Sequence, residues 1–226
     1  MARIVDLVAA ALVPERCLHC RGPARAGAPL CDACRRALPW LPVDGCPRCG
    51  LPRPCAQGRC PAARTALAGA WAPLAHEGAA RALVLAAKAR AARRVAPWLA
   101  AAMTARAPAG LLAGVEVVVP AAADPARRRR RGEDHARLVA DAVGRALDAP
   151  VAPLLVRRRS APAQHARGRT ARLTLPPPIV AGPVPAVVLL VDDVHTTGAT
   201  LAASADALRA AGAQRVVALT ATRALR

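Results

Sequence analysis

The chain has 226 residues, 54% of them hydrophobic, which is enough for one medium-sized domain and a small additional module. This apolar content excludes intrinsic disorder as a description of the whole chain. Lys and Arg number 33 against 14 Asp and Glu, and the net charge of +19 favours polyanionic partners: nucleic acid, phosphorylated metabolites or an anionic membrane surface. A solvated basic surface is the alternative explanation.

The first thirteen residues are predicted to form a short amphipathic helix. Their apolar side chains recur at helical spacing, at Ile4, Leu7, Val8 and Leu12. Asp6 interrupts the apolar stretch and no small-residue cleavage site follows, so an export signal is not indicated. No run approaches the roughly eighteen apolar residues that a membrane span needs. We therefore expect a cytoplasmic protein without membrane insertion.

All eight cysteines lie within one short segment, residues 14–61. They form three C-x2-C pairs and one C-x4-C pair: Cys17 and Cys20, Cys31 and Cys34, Cys46 and Cys49, Cys55 and Cys60. A C-x2-C knuckle places two thiolates on one tight turn, and two knuckles complete a tetrahedral zinc site. The segment is too poor in apolar residues to fold on its own core, so metal binding would supply its folding free energy.

Sequential pairing of the knuckles predicts two structural zinc sites, one from the first four cysteines and one from the last four. Crossed pairing is an alternative, as are disulfides and an iron–sulfur cluster. A four-cysteine site has no open coordination position, so the zinc would be structural rather than catalytic. His19 lies inside the first knuckle and is predicted to be a bystander. The zinc module is assigned to residues 1–62 and the body to residues 63–226.

The body is predicted to alternate strands and helices. The predicted strands are 68–74, 115–119, 151–156, 187–191 and 215–220, and the predicted helices are 76–92, 97–107, 134–147 and 197–211. The strands are continuous apolar runs, which favours a Rossmann-like, mostly parallel sheet with helices on both faces. Two basic loops are predicted, one around Arg127–Arg131 and one over 157–178. Trp71 and Trp98 have apolar neighbours and are expected in the core.

The most informative pattern is VVLLVDDVHTTGAT, which begins at Val187. A buried strand would deliver Asp192 and Asp193 to its carboxyl end, where open α/β sheets bind ligands. The following turn enters a helix, whose first N–H groups and nearby hydroxyls form an anion cradle. Carboxylates beside such a cradle suit a sugar phosphate. The chain has no G-K-[ST], which excludes a Walker phosphate loop. Solvated acids before an ordinary helix cap are the alternative.

This stretch resembles the phosphoribosyl pyrophosphate motif of type I phosphoribosyltransferases: an apolar strand, two acids and T-T-G-x-T. The resemblance implies that Asp192 and Asp193 contact the ribose hydroxyls. It implies a 5′-phosphate loop made of Thr196, Thr197, Gly198, Ala199 and Thr200. Magnesium would bridge pyrophosphate and ribose oxygens, and transfer would pass through an oxocarbenium-like ribose that is stabilised electrostatically.

From about Pro14 to the C-terminus, the order of features is similar to that of the ComF competence family. The shared features are a multi-cysteine head, a lysine helix, an arginine loop, a glutamine-containing loop and the ribose-phosphate motif. Lys88 matches the family's helix lysine, and Pro120 matches the first proline of a V-P-V-P strand end. Arg131 with Gly132 matches the start of R-G-[FY]-[ND]-Q, and Gln164 with Arg172 matches Q-x7-R.

The resemblance implies a set of catalytic residues and a pyrophosphate loop. The catalytic set is Asp192, Asp193, Lys88 and Arg131, and the loop is Pro120, Ala121 and Ala122. The sequence departs from the family at the second proline, which is Ala122, and after Gly132, where Glu133, Asp134 and His135 stand. Leu175 occupies the place of a usual asparagine. The ribose-phosphate half is therefore better preserved than the pyrophosphate and acceptor side.

Two hypotheses follow from the resemblance. The chain is either a magnesium-dependent phosphoribosyltransferase acting on an unidentified nitrogenous acceptor, or a non-catalytic factor of natural transformation that binds single-stranded DNA or senses phosphoribosyl pyrophosphate. The resemblance implies single-stranded DNA and competence proteins such as a helicase as partners. Three Trp and no Phe or Tyr leave little for base stacking, so any DNA binding is expected to be electrostatic.

Overall fold

The computed structural model describes residues 15–55, 59–89, 92–122, 135–156 and 177–225. The helices are α1 (Asp32–Arg36), α2 (Gly78–Ala87), α3 (Ala92–Arg106), α4 (Ala109–Leu112), α5 (His135–Leu147) and α6 (Ala199–Ala210). The strands are β1 (Gly69–Trp71), β2 (Leu74–Ala75), β3 (Val117–Pro120), β4 (Leu155–Val156), β5 (Ile179–Val180), β6 (Val187–His195) and β7 (Arg215–Arg223). The predicted N-terminal helix, the five-arginine run and residues 157–176 of the second basic loop lie outside the described residues.

The main sheet is parallel throughout its described strands. Its order is β1-β7-β6-β3, and β2 pairs with β7 beyond the end of β1. Val151 adds a parallel bridge to Val118 on the far side of β3. β4 and β5 form a separate antiparallel pair. The predicted mostly parallel sheet is therefore confirmed.

Helices cover both faces of this sheet, as the continuous apolar strands predict. Leu189 and Val191 of β6 pack into a core with α2, α3 and α5, whereas Val188 and Leu190 pack on the other face with α6. Successive strand residues point to opposite faces, so a strand buried on both sides must be apolar at every position. Each fully buried side chain of this kind contributes roughly 1.5–3 kcal/mol. Trp71 is buried in the first core, as predicted.

β6 and α3 extend furthest beyond their predicted bounds. β6 continues four residues past Val191 to His195, because its pairing with β7 persists through Asp192, Val194 and His195. α3 begins at Ala92, so Pro97 lies in its second turn. There the ring removes one backbone hydrogen bond. Burial of the side chains that follow on the same helix offsets that loss: Leu99, Ala100 and Met103.

The cysteine-rich segment covers the outer edge of the sheet. Leu41 N donates to Pro73 O at 2.8 Å, and Ala75 N donates to Pro39 O at 2.9 Å. A Cβ on Gly69 would lie 2.9 Å from Pro47 O, so the backbones approach too closely there for a side chain. Such cover satisfies the free donors and acceptors of an edge strand. None of the helices in the described ranges is long and apolar enough to cross a membrane.

Candidate functional site: the carboxyl edge of the sheet and two cysteine clusters

The acidic pair lies at the carboxyl end of β6. Asp192 and Asp193 are both half-buried, and Asp193 N donates to Asp192 Oδ1 at 2.8 Å. The neighbouring strand β3 ends at the same level, because Pro120 pairs with Val191 and Ala121 N donates to Val191 O at 2.8 Å. The register of the sheet thus brings the predicted pyrophosphate loop beside the acids. All three of its members, Pro120, Ala121 and Ala122, are buried.

Lys88 reaches this edge from the end of α2. Its Nζ lies 2.6 Å from Asp193 Oδ2, and the two side chains are 26% and 15% exposed. Partial burial makes such an ion pair stronger than a surface pair, since water screens it less. The structure therefore joins two of the four predicted catalytic residues directly. A third, Arg131, lies outside the described residues.

The turn after β6 enters α6 through a left-handed residue. Gly198 has φ +81° and caps the helix, while Thr196, Thr197 and Ala199 are exposed. Thr197 Oγ1 accepts from Ala199 N at 3.4 Å. A twelve-residue helix presents free N–H groups and a positive dipole end at this point. The turn can accordingly hold an anion such as a phosphate next to the carboxylates.

His76 belongs to the same edge, although the sequence analysis assigned it to the start of a helix. It directly follows β2, and its Nδ1 lies 2.8 Å from Thr222 Oγ1. Thr222 Oγ1 in turn donates to Asp193 O at 3.3 Å. Burial, with the charges of Lys88 and Arg81, lowers the pKa of His76 and so favours the neutral imidazole at pH 7. Its position just after the predicted strand 68–74 is the sequence feature that could have identified it as a residue of the site.

Arg223 is a second residue near this edge that the sequence did not single out. It ends β7 and is 2% exposed. Its Nε donates to Cys49 O at 3.2 Å, and its Nη1 donates to His195 O at 2.7 Å and to Thr196 O. No motif distinguishes it from the many other arginines of the chain. Only the fold shows that it joins the cysteine-rich segment to the turn after β6.

His195 is buried behind the turn, with 4% of its surface exposed. Burial lowers its pKa to about 4, and the positive charge of Arg223 adds to the effect. The folded state therefore binds a proton less readily than the unfolded state between about pH 6.5 and 4. Stability from the neutral ring is present above pH 6.5 and is lost as the pH falls through that interval.

We expect the wild type to lose about 2 kcal/mol more than a His195→Asn variant between pH 7 and pH 5, because only the wild type carries this ring. Urea unfolding of both proteins at the two pH values measures the difference. Loss of zinc at low pH affects both proteins alike and cancels in the comparison. Equal losses would show that the ring does not titrate as its burial requires.

The cysteines form two separate clusters with the predicted sequential pairing. One contains Cys17, Cys20, Cys31 and Cys34, and the other contains Cys46, Cys49, Cys55 and Cys60, with all sulfurs of a cluster within 4.8 Å of one another. S···S distances within the clusters include 3.7 Å for Cys20–Cys31, 3.8 Å for Cys46–Cys60 and 3.7 Å for Cys49–Cys55. Four thiolates around zinc at about 2.3 Å are separated by about 3.8 Å. Both clusters fit structural zinc.

Backbone N–H groups lower the pKa of one cysteine in each cluster. Burial acts to raise the pKa of Cys17, but N–H groups of Cys31, Cys20 and His19 outweigh it and lower that pKa to about 6. The same balance lowers the pKa of Cys46 to about 7, through N–H groups of Cys49 and Arg48. Burial raises the pKa of Cys34 to about 12. Metal binding would therefore displace protons from the remaining thiols.

Comparison with known families supports the metal assignment. Residues 8–64 match the family model of the double zinc ribbon domain. The match spans both cysteine clusters and ends before β1. No curated protein matches the chain with significant similarity. The N-terminal segment is thus similar to a double zinc ribbon, with two four-cysteine sites for structural zinc.

Proposed function

We propose that the carboxyl edge of β6 binds phosphoribosyl pyrophosphate together with magnesium, in a type I phosphoribosyltransferase-like protein of the ComF type. One observation carries the proposal: the acid pair ends β6 directly before the turn that caps α6, and Lys88 Nζ lies 2.6 Å from Asp193 Oδ2. Acidic oxygens for ribose hydroxyls, N–H groups for a phosphate and a cation for the pyrophosphate are then available at one edge.

Each group has a chemical role in this proposal. Asp192 and Asp193 accept hydrogen bonds from the ribose hydroxyls, and the N–H groups at the start of α6 bind the 5′-phosphate. Lys88, already charged and paired with Asp193, would turn towards the pyrophosphate oxygens. Magnesium would be held mainly by ligand oxygens and water, with the carboxylates as the available protein oxygens. Pro120–Ala122 would line the pyrophosphate side.

Transfer to a nitrogenous acceptor is a further step that binding permits. It would need groups on the acceptor side, where the sequence departs most from the ComF pattern. Binding is therefore the primary activity in this proposal, and transfer is a further step that depends on it. With or without transferase activity, the protein would take part in DNA uptake in the cytoplasm. Its partners there would be single-stranded DNA and competence proteins such as a helicase.

Calorimetric titration tests the proposal with zinc-loaded protein, magnesium and phosphoribosyl pyrophosphate. We expect saturable, magnesium-dependent binding by the wild type. An Asp192→Asn/Asp193→Asn variant should bind at least 100-fold more weakly, because each charged hydrogen bond contributes about 1.5–3 kcal/mol. Asp141→Asn is the matched control, since Asp141 pairs with Arg137 at 2.8 Å on α5, away from this edge. Absence of binding by the folded wild type would refute the proposal.

Nucleic-acid binding is the second candidate, and the net charge of +19 favours it. The two candidate functions predict different changes in affinity when an acidic side chain is removed. Asp193→Ala should weaken phosphoribosyl pyrophosphate binding but leave the affinity for a labelled oligothymidylate unchanged or higher, because a negative charge has gone. Fluorescence anisotropy at two salt concentrations measures this affinity. If the substitution abolished DNA binding in a folded protein, DNA would share the acidic site.

A further inference from the structure

Arg223 is a buried cation without a carboxylate partner in the described part of the chain. It is 2% exposed, and its guanidinium contacts three backbone carbonyls, those of Cys49, His195 and Thr196. Burying an arginine is costly unless hydrogen bonds and a counter-charge compensate it. Carbonyl oxygens accept from its Nε and Nη1, so the position of this buried cation depends on where the three carbonyls lie.

One of these carbonyls belongs to the second cysteine cluster. Arg223 Nε donates at 3.2 Å to the carbonyl of Cys49, which forms this cluster with Cys46, Cys55 and Cys60. A metal ion that joins four cysteines fixes the backbone of the knuckles that carry them. A metal-loaded cluster therefore holds the Cys49 carbonyl in place for Arg223, and a metal-free cluster leaves it free to move.

The same guanidinium also contacts the turn after β6. Its Nη1 joins the carbonyls of His195 and Thr196, at the point where the strand gives way to the anion-binding turn. A pocket of about 200 Å³ also lies between the turn and the cysteine segment, and its lining includes Cys49, Thr65, His195 and Gly198. Arg223 forms a direct polar link between the two.

We propose that zinc in the second cluster controls anion binding at the β6 edge, with Arg223 as the positioning residue that transmits its occupancy. Loaded with metal, the cluster fixes the Cys49 carbonyl, and Arg223 holds the carbonyls of His195 and Thr196 so that the turn presents its N–H groups. Without metal, the Cys49 carbonyl moves, Arg223 loses that anchor, and the turn loosens. The identity of the anion rests on the function proposed above, but the coupling between cluster and turn does not.

Hydrogen exchange tests the coupling without any ligand. Cys60→Ser removes a ligand of the second cluster, and Cys20→Ser removes an exposed ligand of the first as the matched control. We expect Cys60→Ser to speed exchange of the amides of 195–202 and of Ala224, whose N–H donates to His195 O, by about tenfold or more, since lost contacts open a segment locally. Cys20→Ser should speed these amides no more than it speeds the protected amides of β3, which report global stability, although metal analysis shows one zinc lost from each variant.

Substitution of Arg223 tests its role without removing a zinc ligand. Arg223→Gln and Arg223→Lys should each retain both zinc ions and yet speed exchange of the same amides by about tenfold or more, because lysine lacks the planar multi-donor fork. Arg215→Gln is the control: Arg215 begins the same strand and donates to the carbonyls of Ala113, Gly110 and Leu111, far from the turn. It should change neither the exchange of the turn nor its ligand affinity.

The outcomes distinguish this inference from the proposed function. If the turn responds to Cys60→Ser and to Arg223→Lys but the wild type does not bind phosphoribosyl pyrophosphate, the coupling stands and the proposed ligand is wrong. If Cys60→Ser and Arg223→Lys bind phosphoribosyl pyrophosphate as tightly as the wild type does, and leave amide exchange at 195–202 unchanged, the coupling is overturned. Supporting data would show at least about tenfold weaker binding in both variants, with the Arg223 variants still carrying two zinc ions.

Discussion

Gly198→Ala is expected to abolish phosphoribosyl pyrophosphate binding and to destabilise the protein. Gly198 has φ +81°, a conformation that costs about 1–2 kcal/mol for a residue with a side chain. A Cβ there would also lie 2.7 Å from Nε2 of the buried His195, so the ring or the turn must move. Either movement displaces the N–H groups at the start of α6. Calorimetric titration and urea unfolding measure the two effects.

Gly212→Ala is the matched control for Gly198→Ala. Gly212 also has a positive φ, +110°, but a Cβ there would meet nothing within 4 Å, and it lies at the opposite end of α6. It should therefore lose about 1–2 kcal/mol of stability with no change in ligand affinity. If both variants bound the ligand as the wild type does, the turn would not be the phosphate site.

Cys34→Ser is expected to have the largest effect on stability, more than about 4 kcal/mol, with one of two zinc ions lost. The first cluster does more than close a surface loop. Cys17, Leu30 and Leu38 are buried in the same core as the helices α2, α3 and α5. Arg94 of α3 also donates to Ala28 O at 2.5 Å. Loss of the metal would therefore remove part of the cover of the body.

Metal analysis together with guanidinium unfolding tests this expectation. His19→Ala is the control, because His19 lies in the same knuckle, is exposed and belongs to neither cluster. It should retain both zinc ions and the wild-type stability. A Cys34→Ser protein that lost its zinc but unfolded at the wild-type denaturant concentration would show that the first cluster contributes nothing to the body.

The two cysteine clusters occupy different positions relative to the body. The first joins the helical layer through buried side chains, whereas the second lies beside the edge strand and contacts Arg223. We therefore expect loss of the first zinc to appear mainly as lower global stability. Loss of the second should appear mainly as altered behaviour of the turn after β6. The two clusters are thus expected to have separable effects on the body.

The sequence by itself determined the parts of this protein that depend on local spacing. Two cysteines three residues apart must share a turn, so the knuckles were predictable, whereas sequential pairing was only the simpler of two alternatives until the structure showed it. Continuous apolar runs predicted a sheet that is buried on both faces. Asp192 and Asp193, with the T-T-G-x-T residues that follow, predicted an anion-binding turn beside two carboxylates. The length of β6 was not predictable, because its last residues are polar and are held in the strand by pairing with β7.

Only the tertiary structure decided which distant side chains meet. His76 contacts Thr222, Lys88 pairs with Asp193, and Arg223 contacts both Cys49 and Thr196. These pairs join residues up to 174 positions apart. They arise because parallel strands that are remote in sequence end at one edge in register. A basic chain contains many arginines that look alike in sequence, and burial next to a thiolate cluster is what distinguishes Arg223.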